Sequence, residues 1–371
     1  MRKIVLTLLL ILLPAVYSLA CTSVIVSSKV SSDGRPIMLK HRDSGCLDSH
    51  IEYFKGEKYN FIALVDDNAR TEPQSSVPFK GTEIWTGTNS EGFCIMNTAT
   101  YDLKDDDVPS SLMDREGQVM YMALSKCREL ADFEKLLDGL ERPIGVEANF
   151  GVIDAHGGAA YYEVNNSKWV KFDVNALPEG YMVVTNFTRT GRKEDRKGVD
   201  RYEYVENIMK SSDLSKIDHK FIFSMISRSG APVLRDISSS STVYEGVRNG
   251  ENPLHTVMWT ALGYPVSAVY VPLMVVCGGH VPSFLKQDTS TGHALMCSNS
   301  LYFKDNGLNV TSKMKQIENV VDRRFESMYE RWKNSKMTNQ QFLRNYDVFM
   351  DKVLSEYKKV TSGIVPLDKN N

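Results

Sequence analysis

The chain has 371 residues, 42% of them hydrophobic and 24% charged, with a formal net charge of −2. That is a globular composition, long enough for one large domain or two ordinary ones with a sizeable core, and it carries no block of basic residues for a phosphate backbone, so nucleic-acid binding is not expected. The only long apolar run lies at the extreme N-terminus; the other candidate, Ala268 to Cys277, is short and broken by Pro272, so no membrane span is expected after processing.

Met1 to Ala20 reads as a secretory signal peptide. Arg2 and Lys3 supply the positive end, Ile4 to Val16 the apolar stretch, and Ser18-Leu19-Ala20 the small residues at minus three and minus one. Cleavage after Ala20 exposes Cys21, and the mature protein is then secreted or periplasmic. An N-terminal cysteine carries a thiol and a free α-amino group on one residue, so nucleophile and general base arrive together. A lipoprotein signal also ends at cysteine but prefers Leu at minus three, where this chain has Ser18. An ordinary cysteine beside the cut is the third reading.

Short strands in hairpins dominate the chain after Cys21. Cys21 to Ser27 carries the β-branched run Val24-Ile25-Val26, and Asp33-Gly34 turns the chain into Pro36 to Lys40. Thr82 to Thr88 and Gly92 to Ala99 flank Asn89-Ser90-Glu91. Asn149 to Asp154 and Ala159 to Val164 flank the turn at Ala155 to Gly158, and Trp169 to Phe172 and Tyr181 to Asn186 follow. A later extended region spans Leu254 to Val276.

Helical spacing appears between and after these hairpins. Gln118 to Leu130 places Val119, Met122, Ala123 and Cys127 on one face, Asp132 to Leu140 opens on a capping residue, and Asp200 to Met209 repeats Tyr204, Val205 and Ile208. Two C-terminal stripes, Met314 to Trp332 and Phe342 to Tyr357, mark helices over about 313–360, and Thr338 with Gln341 forms a capping box before the second. Leu103 to Gly117 and Arg235 to Pro253, the latter with four consecutive serines, read as mobile loops. This element order predicts an α+β fold: an αββα sandwich of two stacked antiparallel sheets flanked by helices.

The six cysteines are scattered without the spacing of a disulfide scaffold. Cys94 and Cys127 read as buried thiols, and Cys277 with Cys297 is the pair to check for a bridge. There is no H-E-x-x-H, paired C-x-x-C, P-loop or G-x-S-x-G, so neither metal nor organic cofactor is implied. A papain-like pairing of a cysteine with His255, His280 or His293 needs no sequence adjacency, although the local cysteine signature is missing.

An N-terminal thiol needs partners. Asp43, with Lys40, His41 and Arg42 crowded beside it, is placed to accept a hydrogen bond near Cys21. Asn97 closes a hairpin strand, where an amide can donate to a developing oxyanion. Asn186 closes another in Thr185-Asn186-Phe187. Taken singly, each is at least as well explained as a strand-end or turn residue.

Taken in order, these segments resemble a known family. Cys21-Thr22 with a hairpin leading to Asp43, then Gly92 to Asn97, Val184-Thr185-Asn186 and Asp200-Arg201-Tyr202, are similar to the cysteine N-terminal nucleophile (Ntn) hydrolases of the choloylglycine hydrolase and penicillin V acylase group. The resemblance runs from Cys21 to about Arg201. The opening of the chain, with Asp33-Gly34 and Arg42-Asp43-Ser44-Gly45, resembles the related Ntn dipeptidases as much, and the late strands resemble the isopenicillin N acyltransferase group.

The resemblance implies one Ntn hydrolase domain over 21–371 and hydrolysis of a linear amide bond in a small molecule, without a cofactor. It implies Cys21 as nucleophile, Asp43 orienting the α-amine, Asn97 at the oxyanion, Asn186 positioning substrate and Arg201 organising the site electrostatically. Where the bile salt and penicillin acylases carry arginine three residues before the aspartate, this chain has Lys40, with Arg42 adjacent to Asp43. Lysine does not reproduce a planar bidentate contact, so either Arg42 has taken over the expected substrate-binding role of Lys40 or the role has changed. Dipeptidase and acyltransferase remain open as alternatives, as does a lipid-anchored binding protein modified at Cys21. A homo-oligomer is compatible with all of them.

Overall fold

The computed structural model describes residues 20–44, 49–66, 84–104, 106–286 and 308–361. The leader, Cys46, His293 and Cys297, and with them the proposed cleavage segment and the Cys277 to Cys297 pairing, lie outside the described residues.

Thirteen strands among the described residues build two antiparallel sheets. The first contains β1 (Ala20–Val26), β2 (Ile37–Asp43), β10 (Tyr181–Val184), β11 (Ser238–Glu245), β12 (Val257–Leu262) and β13 (Val271–Leu273), in the order β10-β1-β2-β11-β12-β13. The second is a meander in chain order: β3 (Ser49–Phe54), β4 (Phe61–Asp66), β5 (Ile84–Asn89), β6 (Cys94–Ala99), β7 (Ala148–Ile153), β8 (Ala159–Val164) and β9 (Trp169–Asp173). Helices α1 (Glu116–Lys126) and α2 (Leu130–Gly139) cover the outer face of the second sheet, where Phe133, Leu137 and Leu124 pack on Phe93, Ile95 and Phe150. Helices α3 (Val199–Ser211), α4 (Leu308–Lys333) and α5 (Asn339–Thr361) supply Val205, Val321, Phe325 and Tyr346 to the core around the first sheet. The layers are those of the expected αββα sandwich.

Because both faces of each sheet are covered, the central strands are not amphipathic. Val24, Ile25 and Val26 are all buried, which explains their uninterrupted apolar run. At Gly87 of β5 an added Cβ would lie 2.6 Å from Leu124 Cδ1 and 2.7 Å from the Ile62 carbonyl oxygen, so α1 sits on the strand at a distance only glycine permits.

The serine-rich segment is the main departure from expectation. Ser238-Ser239-Ser240-Ser241 begins β11, which pairs with β2 on one side and β12 on the other, buried in the middle of the first sheet. Its hydroxyls are satisfied inside: Ser238 donates to Asp43 Oδ1 at 2.7 Å, Ser241 shares a hydrogen bond with Ser227 at 2.8 Å and Thr242 with Thr260 at 3.3 Å. Polar composition suggested a loop; the hydroxyl pairings are what allow burial. Strands β3 and β4 are likewise additions to the expected hairpins.

The helix boundaries follow their caps. The Thr338 backbone N–H donates to Gln341 Oε1 at 2.9 Å and the Gln341 N–H donates to Thr338 Oγ1 at 3.2 Å, the reciprocal capping box read from sequence. Helix α2 instead begins two residues before Asp132. Its Leu130 N–H donates to Asp154 Oδ2 at 2.9 Å, so the cap comes from the turn after β7. The C-terminal helices are anchored by a buried bidentate pair, Arg228 Nη1 and Nη2 with Glu318 at 2.7 and 2.8 Å, and by Trp259, which stacks on His219 and meets Phe325 edge-on.

Candidate active site

Strand β1 lies between β10 and β2, and its first residues set the site. Cys21 pairs with Arg42, Thr22 with His41 and Ser23 with Lys40. Residues directly opposite in an antiparallel pair share a face, so Cys21, Ser23, Lys40 and Arg42 point together into the space between the sheets. Ser23 confirms that direction by sharing a 2.7 Å hydrogen bond with Tyr161 of the second sheet. Thr22, His41 and Asp43 point to the other face.

Asn186 follows β10 in the register position opposite Cys21. Its Oδ1 accepts the Cys21 backbone N–H at 2.9 Å, while its Nδ2 donates to the Ala99 carbonyl at 2.7 Å, so one amide bridges the start of β1 to the end of β6. Arg201, on the first turns of α3, closes the arrangement. It donates through Nη1 to the Cys21 carbonyl and to Thr22 Oγ1 (3.0 Å), and through Nη2 to Asn186 Oδ1 (2.6 Å). Burial lowers the Arg201 pKa, opposed by the charges of Asp43 and Cys21. Thr98 Oγ1 donates to the Thr185 carbonyl at 2.6 Å and Asn149 Nδ2 to Thr98 Oγ1 at 3.0 Å, a second tie between β6 and the Asn186 segment.

Lys40 reaches across to the second sheet. Its ammonium donates to the Trp85 carbonyl (2.8 Å), the Asn97 carbonyl (2.9 Å) and Asn97 Oδ1 (2.5 Å). Burial pushes it down to about 8, against the opposing charge of Cys21 and with Arg42 adding to the fall. An ammonium only donates, so the Asn97 atom facing it is the oxygen, and Nδ2 is turned away as a donor. Arg42 is occupied differently: Nη1 and Nη2 hold both Asp66 oxygens at 3.1 and 2.8 Å, and its guanidinium lies over the Trp85 ring at 4.7 Å.

Asp43 lies on the helix-facing side, paired in register with Ala20, the residue before Cys21. Ser238 Oγ donates to its Oδ1, His41 Nε2 lies 3.5 Å from the same oxygen, and Arg235 Nη1 lies 3.5 Å from Oδ2. All seven expected site residues are therefore buried around the start of β1. Cys21 and Asn97 keep 6% and 5% exposure while Asp43 and Asn186 keep none, so the cluster is almost wholly withdrawn from solvent.

Sequence reasoning missed Ser238, Arg235 and Trp85, which hold Asp43, Lys40 and Arg42. Ser238 and Arg235 lay in the stretch read as a loop, and Trp85 acts through its carbonyl and ring, for which no residue pattern exists. Of the histidines considered as bases, His255 packs on Trp332 and Tyr329 of α4, and His280 pairs with Asp347 of α5 at 2.9 Å. Among the described residues, no group of three or more His, Cys, Asp or Glu side chains is arranged to hold a metal ion, and no helix is long and apolar enough to cross a membrane.

Neither a protein-family model nor a curated protein matches the chain. Solved structures do show similarity. A single-residue variant of conjugated bile acid hydrolase from Clostridium perfringens is 9% identical, with a TM-score of 0.45 over 69% of this chain and 92% of that one. A Caenorhabditis elegans ortholog of N-acylethanolamine-hydrolyzing acid amidase is 14% identical, with a TM-score of 0.46 over 63% and 93%. Penicillin V acylase from Agrobacterium tumefaciens is 11% identical, with a TM-score of 0.43 over 68% and 86%.

Proposed function

We propose that this protein is an exported amide hydrolase of the cysteine Ntn type, with Cys21 as nucleophile once the chain is cut after Ala20. The observation that carries the reading is the treatment of the Cys21 nitrogen. A strand residue usually engages its N–H with neighbouring backbone, yet here it is held by a side chain, Asn186 Oδ1, while Arg201 holds the carbonyl of the same residue. Both main-chain groups of Cys21 are fixed independently of the residues before it, as a residue that becomes a chain terminus requires.

In the cut protein that nitrogen is a free amine. It takes the thiol proton, directly or through a water; the thiolate adds to the amide carbonyl of the substrate, and negative charge develops on its oxygen. The Asn97 Nδ2 group donates to that oxygen. The C–N bond breaks as the amine leaves with the proton from the Cys21 ammonium, and a thioester remains. Water, deprotonated by the same amine, releases the acid and restores the thiol. Asp43, beside the cut position, orients the ammonium, Asn186 fixes the nitrogen and Arg201 neutralises charge around both.

We place the substrate among small N-acyl amides of the bile-acid-conjugate, penicillin or N-acyl amino acid type. A cavity of about 390 Å³ beside the segment joining Asn186 to Arg201 has Val184, Phe187 and Tyr202 in its wall with Arg189, Arg196, Glu163 and Glu203, and offers apolar and mixed-charge surface to such a molecule, while Cys21 and Asn97 do not line it. Dipeptidase and acyltransferase activities share this chemistry and are separated by the substrate panel. The test is intact mass of the exported protein together with turnover of a mixed amide panel. A first residue of Cys21 with free amine and thiol, and release of an amine from a panel member, is the expected result. An acylated, thioether-modified Cys21 would overturn the reading in favour of a lipid-anchored protein.

A further inference from the structure

We propose that Lys40 is a positioning residue that acts through Asn97, wedging open the second sheet and fixing the Asn97 amide with its Nδ2 as the free donor. The inference rests on the Asn97 role proposed above and adds what sets that role.

The geometry begins with an interrupted ladder. Strands β5 and β6 pair through Thr88 with Cys94, Gly87 with Ile95 and Thr86 with Met96, and there the pairing stops. The next residues in that register are Trp85 and Asn97. Instead of pairing with each other, both offer their carbonyls to the ammonium of Lys40, which has crossed from β2 of the facing sheet. The third donor of the ammonium goes to Asn97 Oδ1. A lysine ammonium has three N–H groups and no acceptor, so these three oxygens use all of them, and none remains for a substrate.

Two consequences follow. A buried carbonyl left by the missing pair would be costly, and Lys40 satisfies two of them at the point where the sheet opens. The same ammonium also distinguishes the two ends of an amide that are otherwise nearly alike in shape, because only oxygen can face it. Asn97 shares its strand face with Ile95, whose side chain packs on the α1 and α2 side, and its Oδ1 is nonetheless held by Lys40 of the facing sheet. The titratable groups that act electrostatically on Lys40 are Cys21, Arg42, Asp66 and Glu116, the last held at the start of α1 with its Oε1 accepting the Glu147 N–H at 3.1 Å.

The test uses the matured full-length chain with Lys40→Met, which keeps the alkyl stem, and Lys40→Gln as a second variant should the first not fold. The side-chain amide resonances of Asn97, assigned by their loss in Asn97→Ala, are expected to shift and broaden in either Lys40 variant. Turnover is expected to fall about 10- to 100-fold in kcat with KM changed less than about twofold, and Lys40→Met with Asn97→Ala together should be no slower than Asn97→Ala alone. Unmoved Asn97 resonances or multiplying losses in the double variant would each overturn the proposal. Failure of the proposed function itself reads differently: no amide is turned over by the wild type, and the Asn97 resonances alone then decide the role of Lys40.

Discussion

Arg201 and Asn186 meet over the backbone of Cys21: Arg201 Nη2 donates to Asn186 Oδ1 at 2.6 Å, and that same oxygen accepts the Cys21 N–H at 2.9 Å. A guanidinium is suited to this because one planar group serves two acceptors in fixed directions. In Arg201→Met the buried Cys21 carbonyl loses its side-chain donor, at a cost of about 1–3 kcal/mol in stability. We expect a lower Tm together with a loss of kcat exceeding tenfold in the folded fraction (about 1.4 kcal/mol). Arg201→Lys should recover stability better than rate. A variant with lowered Tm and normal kcat would confine Arg201 to the scaffold.

The base assigned to this mechanism is the chain's own amino group. A protein carrying one extra residue before Cys21 has an amide there, which accepts no proton. It should fold, remain alkylatable at the thiol and be inactive until trimmed, whereas Cys21→Ala should be inactive even when trimmed and unchanged in fold. For the trimmed wild type, activity should decline as pH falls through the α-amine range, about 7.7–8.0 unperturbed. Full activity in an extended protein verified by intact mass would exclude the mechanism.

Ser238→Ala isolates the support of Asp43. The carboxylate is fully buried, and Ser238 provides its hydrogen bond at 2.7 Å. Loss of a hydrogen bond to a buried charged group should cost about 1.5–3 kcal/mol. If Asp43 orients the Cys21 ammonium, kcat should fall as well, and Ser238→Thr should restore part of both. Urea unfolding and steady-state kinetics on the same samples measure the two effects. Wild-type stability in Ser238→Ala would contradict the assignment.

Glu245 gives the fold an acid limit. Burial would raise its pKa, but His219 and Arg35 outweigh that and hold the carboxyl down at about 2. Since the folded value lies below the unfolded one, the stabilisation is complete above about pH 4.5 and is lost as pH falls from there towards 2. Glu245→Gln should therefore be clearly less stable than wild type at pH 5.5, with the difference shrinking as pH falls below about 4.5 and mostly gone only by about pH 2. A stability difference that stays constant across this window would show that the charge of Glu245 is not what His219 and Arg35 recognise.

What the sequence determined by itself was local. Hairpins such as β5 with β6 and β7 with β8 show their turns within a few residues, the Thr338 and Gln341 cap spans a single helical turn, and Cys21 is conspicuous because the small-residue site stands directly before it. Asn97, Asn186 and Arg201 were legible as strand-end and helix-start residues in a family-like order, not as contacts. The tertiary structure alone decided those contacts, since Asn186 reaches Cys21 across 165 residues and Ser238 reaches Asp43 across 195. It also decided that four serines form a central strand, because a hydroxyl is a loop signal until a partner in another strand satisfies it. Lys40 shows the same limit at the site: its charge and position are plain in the sequence, but its use depends on a gap between β5 and β6, strands of the opposite sheet.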